Sequence, residues 1–313
     1  MSRAFNFDLY RLNIVDIQDL FLGSDASRIR TDEDILTVLD AACSSDFDLE
    51  QETRSARYKW SVRNLYEYEF DEYGRRFVSI VLARSVLEKE GLIVTDYGIN
   101  AGASSANPPL ASAIILFFDM NRHLVAVEHS GELAQTAWHE FLSEIINNAA
   151  ISIEKSSSIE LGAVPEDNEI LSLFKSFDKV TRIKATINIP NPELTRYTKL
   201  LYDDLVKSGV REYTQDMKNP NGLSKEEDAR PFATAALVQQ GYKSGEVQIE
   251  GLRGESYDKV SSGSVAARGS ISTLKDFVRG LHANAKAKET KNVLSEIAKE
   301  IDRIHPIEAN NES

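Results

Sequence analysis

YKWSVRNLYEYEFDEYGRRFVSIVLA, residues 58–83, is the stretch of sequence on which the fold depends. Its large apolar side chains fall on even positions, with polar or charged residues between them: Tyr58, Trp60, Val62, Tyr66, Tyr68 and Phe70. A period of two is that of a β-strand with one buried face. The turn Asp71-Glu72-Tyr73-Gly74 then leads into the apolar residues 77–83. The stretch therefore predicts an antiparallel hairpin.

The flanking sequence extends this pattern in both directions. Residues 113–118 and 123–128 flank a polar turn and predict a second hairpin, while the small and polar residues 98–109 predict a loop between the two hairpins. Towards the N-terminus, alternation at Phe5, Phe7 and Leu9 predicts an opening strand. Thr31 with Asp34 predicts the capped start of a helix that runs to about residue 42.

The remaining elements alternate between helices and strands. Up to residue 209, we expect a helix at 132–148, a strand at 159–164, a short helix at 169–177, a strand at 183–189 and a helix at 191–209. Beyond it, we expect a helix at 226–240, strands at 246–252 and 264–271, a short helix at 273–282 and a terminal helix at 289–304. This order predicts an α+β fold in three parts. They are antiparallel hairpins with packed helices at 1–209, a smaller mixed α/β region at 210–306 that ends in a helix, and a disordered tail at 307–313.

The composition is that of a soluble globular protein. Of the 313 residues, 42% are hydrophobic and 27% are charged. No apolar run approaches the roughly 18 residues of a membrane helix, and the N-terminus lacks an apolar signal region. We therefore expect a cytoplasmic protein without membrane contact. Cys43 is the only cysteine, which excludes an intramolecular disulfide, and its place on an apolar helical stripe predicts a buried, inert thiol.

The sequence has no recognisable catalytic motif. It contains neither a Gly-x-Ser-x-Gly elbow nor a phosphate loop ending in Gly-Lys-Ser or Gly-Lys-Thr. His139-Glu140 begins like a zinc-binding helix, but Ser143 stands where the second histidine would be. Glu289-Thr290-Lys291, the only Glu-x-Lys of nuclease type, falls in a predicted helix. We predict no catalytic residue, metal or cofactor, and keep a divergent metal-dependent nuclease as an alternative.

Charge is distributed unevenly along the chain. The net charge is −13, yet residues 253–291 contain eight basic and four acidic side chains, which leaves a surplus of four positive charges there. Clustered lysines and arginines neutralise phosphates without reading the base sequence. This stretch therefore predicts a DNA-binding surface formed by Arg268, Lys275, Arg279, Lys286 and Lys288.

The terminal helix has a pronounced apolar stripe. Val293, Leu294, Ile297 and Ile301 recur at helical spacing and lie on one side of the helix. Such a stripe can dock against a partner protein or a second copy of the chain. We therefore predict an interface at these four residues and a homodimer.

Three segments resemble a bacterial family of unknown function that is associated with phage defence or mobile elements. They are the junction Ile187-Asn188-Ile189-Pro190-Asn191-Pro192, the turn Gln240-Gly241-Tyr242 followed by Gly251 and Gly254, and the strand at residues 114–119. The order of elements is also similar to that of RexA, a DNA-binding phage-exclusion protein.

The resemblance implies a function without implying a catalytic residue. The expected protein is a non-enzymatic component of phage defence that binds DNA or a partner protein from the same operon, as sensor or effector. Two alternatives stay open beside it: an interaction module that neutralises or activates a partner, and the divergent nuclease.

Overall fold

The structure, a computed structural model, describes residues 4–17, 27–70, 74–95, 98–131, 133, 135–166, 169–188, 205, 208, 210 and 212–306. The strands are β1 (Ala4–Asp16), β2 (Leu49–Glu52), β3 (Ala56–Phe70), β4 (Arg75–Thr95), β5 (Gly98–Ser104), β6 (Ala111–Asp119), β7 (Leu124–Glu128), β8 (Ser157–Ala163), β9 (Lys179–Asn188), β10 (Glu212–Lys218), β11 (Ser244–Arg253), β12 (Ser256–Ser262) and β13 (Arg268–Leu274). The helices are α1 (Asp32–Ala42), α2 (Gln135–Ser152), α3 (Glu169–Ser176), α4 (Arg230–Gln239), α5 (Lys275–Arg279) and α6 (Lys288–Ile304).

The larger of two sheets contains both hairpins that the sequence predicts. Its strand order is β13-β1-β7-β6-β4-β3-β2, with β8 paired to the far part of β1 and β5 to the far part of β4. All the pairings in this sheet are antiparallel. The α+β class with antiparallel sheet is therefore confirmed.

A β-bulge in β3 changes which face of the sheet its even-numbered side chains occupy. The pairing of β3 with β4 shifts between Arg63 and Tyr66, and Asn64 has a positive φ of 61°. Before the bulge, Trp60 packs in the core that contains α1 and α2. After it, Tyr68 packs in the core on the other face. The extra residue in β3 reverses the face to which even-numbered side chains point. The even-numbered side chains of β3 therefore pack in one core before the bulge and in the other core after it.

Helix α1 begins where the sequence predicts. The Thr31 side chain accepts a hydrogen bond from the backbone N–H of Asp34, and the Asp34 carboxylate accepts one from the backbone N–H of Thr31. This reciprocal capping box satisfies two backbone donors of the first turn. The apolar side of α1 packs together with α2 against one face of the large sheet. On this face, Phe141 of α2 stacks on Trp60 of β3 with 4.7 Å between the ring centroids.

Helix α6 covers the opposite face of the same sheet. Val293, Leu294, Ile297 and Ile301 are at most 4% exposed and pack against side chains of β1, β4 and β6. The predicted interface at these residues is therefore corrected, because the chain's own sheet already covers the stripe. An amphipathic pattern predicts that one side of a helix is buried, but it does not show whether the same chain or a partner buries it.

The smaller sheet has the order β10-β9-β11-β12 and packs one face against α3 and α4. It lies in the sequence between β8 and β13, since the chain returns to the large sheet with β13, α5 and α6. The predicted division at residue 209 is corrected accordingly. β9 lies before that position, yet it pairs with β10 and β11 beyond it.

Four strands were not predicted, namely β2, β5, β10 and β12, and two predictions cannot be compared with the structure. β5 occupies Gly98–Ser104, where the sequence predicted a loop, because its small residues pair through their backbone with β4. β12 was missed because its exposed polar residues give little apolar alternation. Most of the predicted helix at 191–209 and the whole tail at 307–313 lie outside the described residues. Within the described part of the chain, no helix is long and apolar enough to cross a membrane.

Candidate functional site

Two of the predicted DNA-binding residues converge on a buried carboxylate. Lys275 Nζ lies 2.9 Å from Glu128 Oε1, and Arg279 donates to both oxygens of Glu128 at 2.9 and 3.0 Å. The Glu128 side chain is 1% exposed. A carboxylate at this depth needs its cationic partners, because burying it unpaired would cost several kcal/mol. Lys275 and Arg279 therefore stabilise the contact between α5 and the end of β7.

Arg268 is held in the same way by a second carboxylate. Its Nε lies 3.1 Å from Asp8 Oδ1, and His129 Nδ1 lies 2.9 Å from Asp8 Oδ2. The Asp8 side chain is only 6% exposed. A cavity of about 490 Å³ lies at this end of the large sheet and is lined by Ala4, Asn6, Glu128, His129, Ser130, Gly131 and Lys275.

The last two predicted residues are not part of this arrangement. Lys286 and Lys288 are exposed, and neither forms an ion pair with any residue that the structure describes. The predicted basic surface thus divides into three cations engaged with Asp8 and Glu128 and two solvated lysines. Positive charge that is counted along a sequence overstates the charge available to phosphates, because the neutralising carboxylates come from β1 and β7.

A different charged surface lies on the smaller sheet. The face opposite α3 and α4, here called the open face, has side chains that are exposed or half-buried over most of its area. Its side chains alternate along each strand with the buried ones, as Lys184 does between Ile183 and Ala185. The open face includes Arg182, Lys184, Thr186, Thr214, Asp216, Lys218, Gln248, Glu250, Leu252, Tyr257, Lys259 and Ser261.

Cations outnumber carboxylates on the open face by four to two. Arg182 is central: it donates to both oxygens of Asp216 at 2.8 Å and to Glu250 Oε1 at 2.8 Å. Lys218 lies 3.4 Å from Asp216, and Lys259 lies 3.3 Å from Glu250. Both lysine side chains are more than half exposed, at 61% and 56%. Exposed ion pairs of this kind contribute about 0–1 kcal/mol, so these lysines can exchange partners easily.

Lys184 adds a fourth cation to the open face, one that forms no ion pair among the residues that the structure describes. It is exposed and forms no hydrogen bond with these described residues either. In the strand register it stands between Asp216 on β10 and Gln248 on β11. The surplus of positive charge therefore lies near the middle of the sheet.

Both carboxylates of the open face stay ionised at neutral pH. Hydrogen bonds from Arg182 lower the pKa of Asp216 to about 2. Burial raises the pKa of Glu250, but hydrogen bonds from Lys259 and Arg182 outweigh it, and its net pKa is lowered. The net positive charge of the open face therefore does not depend on a titration near pH 7.

An exposed aromatic ring lies at the edge of the open face. Tyr257 on β12 is 59% exposed, and its hydroxyl lies 3.2 Å from Glu250 Oε2 and 3.1 Å from Thr181 Oγ1. Leu252 lies directly opposite it on β11. The hydroxyl contacts fix the direction of the ring while leaving much of it accessible to solvent.

Lys243 is a buried lysine whose role is structural. Burial lowers its pKa to about 8, although Glu169 and Glu246 act in the opposite direction. Its Nζ donates to the backbone carbonyls of Gly245 and Gly263 and so joins the start of β11 to the chain beyond β12. Strongly shifted lysines often mark functional sites, but this ammonium group faces backbone oxygens.

The burial of Lys243 predicts a pH dependence of stability. Between about pH 8 and pH 10.5 the unfolded chain keeps this proton and the folded chain loses it, so the free energy of unfolding rises with pH in this window. Across this pH window, the free energy of unfolding of the wild type should rise by on the order of 2–3 kcal/mol relative to that of Lys243→Met. Denaturant unfolding of both proteins at several pH values checks this expectation. Parallel profiles would contradict the assignment.

The open face was not found from the sequence because its charges are dispersed over residues 182–261 and meet only through strand pairing. A local signal did exist. Ile183, Ala185 and Ile187 alternate with Arg182, Lys184 and Thr186, which indicates a strand with one basic, hydroxyl-rich face. Among the described residues, no group of three or more His, Cys, Asp or Glu side chains is placed to hold a metal ion.

The fold and the open face define an α+β protein with two antiparallel sheets, the smaller of which has one charged, largely exposed face. The chain belongs to the family described as Domain of unknown function (DUF4747), whose model matches residues 107–276, more than half of the chain. The matched segment contains the whole smaller sheet and all of the open face. No curated protein matches the chain. The resemblance to phage-exclusion proteins therefore stays a prediction.

Proposed function

We propose that this protein binds nucleic acid through the open face of the smaller sheet. The observation that supports the proposal is the surplus of cations on a largely exposed face of a chain whose net charge is −13. Lysines that neutralise phosphates release condensed counterions, and this release provides most of the sequence-independent affinity for nucleic acid. Lys184, Lys218 and Lys259 are exposed enough to make such contacts.

The proposed binding surface differs from the one that the sequence predicted within residues 253–291. Lys275, Arg279 and Arg268 would have to leave the buried carboxylates of Glu128 and Asp8 before they could hold phosphates. That exchange is unfavourable, because the buried Glu128 would lose both of its cations and Asp8 would keep only its contact with His129. The exposed lysines of the open face can contact phosphates without leaving a deeply buried carboxylate unpaired. The setting we propose is the one that the sequence resemblance implies, a non-enzymatic sensor or effector in phage defence.

Charge reversal on the open face tests the proposal. Lys184→Glu combined with Lys259→Glu removes two phosphate contacts and adds repulsion, so we expect affinity for a labelled oligonucleotide to fall roughly 10- to 100-fold near 0.1 M salt. Fluorescence anisotropy titration measures this change. Both side chains are exposed, so the fold should persist.

The matched control is Lys286→Glu with Lys288→Glu, which changes the net charge by the same four units. This control should keep nearly wild-type affinity. Equal losses in the two double variants would indicate a general charge effect and contradict the proposed location. Absence of binding by the wild type at low salt would contradict the proposed function itself.

A further inference from the structure

We infer that the open face takes single-stranded nucleic acid, with one base stacked on Tyr257. The inference rests on the proposed function and adds the class of ligand. It depends on two features that charge alone does not provide: the width of the sheet, and an exposed, tethered aromatic ring at its edge.

The width of the sheet argues against reading a duplex. Four strands at a spacing of about 4.8 Å place the outer strands β10 and β12 about 14 Å apart. The major groove of DNA is about 12 Å wide and admits one helix or a two-stranded ribbon. The open face is therefore too broad to enter it. A single strand, in contrast, can lie across a four-stranded sheet with its bases turned towards the protein.

Tyr257 has the properties of a stacking platform. The ring is 59% exposed, and its hydroxyl contacts Glu250 and Thr181. A ring that is already held in place loses little conformational freedom when a base packs on it. Every base has a flat face, so stacking contributes affinity without requiring a particular sequence.

The nearest lysine is placed to neutralise the phosphate of the stacked nucleotide. Lys259 lies two residues beyond Tyr257 on the same strand and the same face, at a separation of about 7 Å along β12. Glu250 contacts both side chains, which places the Tyr257 hydroxyl and the Lys259 ammonium group beside the same carboxylate. Stacking and charge neutralisation therefore lie within reach of one nucleotide.

Two substitutions at Tyr257 separate the ring from its hydroxyl. Tyr257→Leu keeps an apolar side chain opposite Leu252 but has no aromatic face, and we expect it to weaken single-strand binding roughly 5- to 100-fold. Tyr257→Phe keeps the ring and loses only the hydroxyl contacts, so it should stay within about threefold of wild type. Anisotropy titrations with a single-stranded oligonucleotide and a duplex of equal length measure both effects, and thermal unfolding verifies the fold of each variant.

Failure of this inference differs from failure of the proposed function. Duplex binding as tight as single-strand binding, or wild-type affinity in Tyr257→Leu, would overturn the inference while the Lys184/Lys259 result could still stand. If the wild type binds neither oligonucleotide at low salt, both fail. Tighter single-strand binding that is lost in Tyr257→Leu and kept in Tyr257→Phe is the result that we expect.

Discussion

Replacing Arg11 by alanine is expected to lower the free energy of unfolding by about 3–5 kcal/mol. The Arg11 side chain is fully buried, yet its contacts extend to three separate parts of the chain. Its Nε donates to the carbonyl of Gln240 at 3.0 Å, and one terminal nitrogen donates to the carbonyl of Arg122 at 2.7 Å. The other terminal nitrogen lies 2.9 Å from His305 Nε2.

The loss is large because the truncation leaves buried acceptors without donors. The guanidinium also packs over the Tyr242 ring, 4.6 Å from its centroid, so alanine would leave a cavity as well. Gln240 and Tyr242 flank the turn before β11, whereas Arg11 itself lies on β1. The same side chain therefore joins the smaller sheet to the larger one.

Denaturant unfolding with Arg303→Ala as control measures this effect. Arg303 is an exposed arginine near the end of α6 and pairs only with Glu300 among the residues described, so its loss should cost less than about 0.5 kcal/mol. Similar destabilisation by both substitutions would contradict the role given to Arg11.

Gly251→Ala is expected to destabilise the smaller sheet by about 3 kcal/mol, at the upper end of the cost of overpacking. A Cβ at this position would lie 2.0 Å from the carbonyl oxygen of Lys179. The obstacle is backbone of the adjacent strand β9, where the register with β11 shifts beside Gly251. The strands would have to separate to accept a methyl group.

The matched control for this prediction is Gly91→Ala. A Cβ at Gly91, on β4, meets no atom within 4 Å, so stability should change by less than about 1 kcal/mol. Thermal unfolding of the two variants compares them directly. The same melting temperature for Gly251→Ala and wild type would show that the pairing of β9 with β11 is looser than the structure indicates.

The sequence predicted those elements whose apolar pattern is local. Both hairpins and helices α1, α2 and α6 follow from periods of two or of about 3.6 residues. The face on which a strand packs could not be predicted, because the bulge at Asn64 inverts the alternation within β3. Strands β2, β5, β10 and β12 were missed because none of them has a sustained apolar alternation.

The candidate site was harder to predict than the fold, since partners distant in sequence decide which charges are available. Arg268 pairs with Asp8, 260 positions away, and Arg279 pairs with Glu128, 151 positions away. A count along residues 253–291 does not include either carboxylate. The apolar stripe from Val293 to Ile301 could not be assigned from the sequence for a similar reason. Its pattern predicts burial, but it does not show whether the chain's own sheet or a partner protein buries it.

Photochemical crosslinking tests the central claim most directly. A photoreactive single-stranded oligonucleotide is bound to the full chain and irradiated, and the attached peptides are identified by mass spectrometry. The account predicts crosslinks within residues 244–262, with Tyr257 as the principal attachment point. Crosslinks confined to residues 264–291, or none at saturating protein, would contradict it.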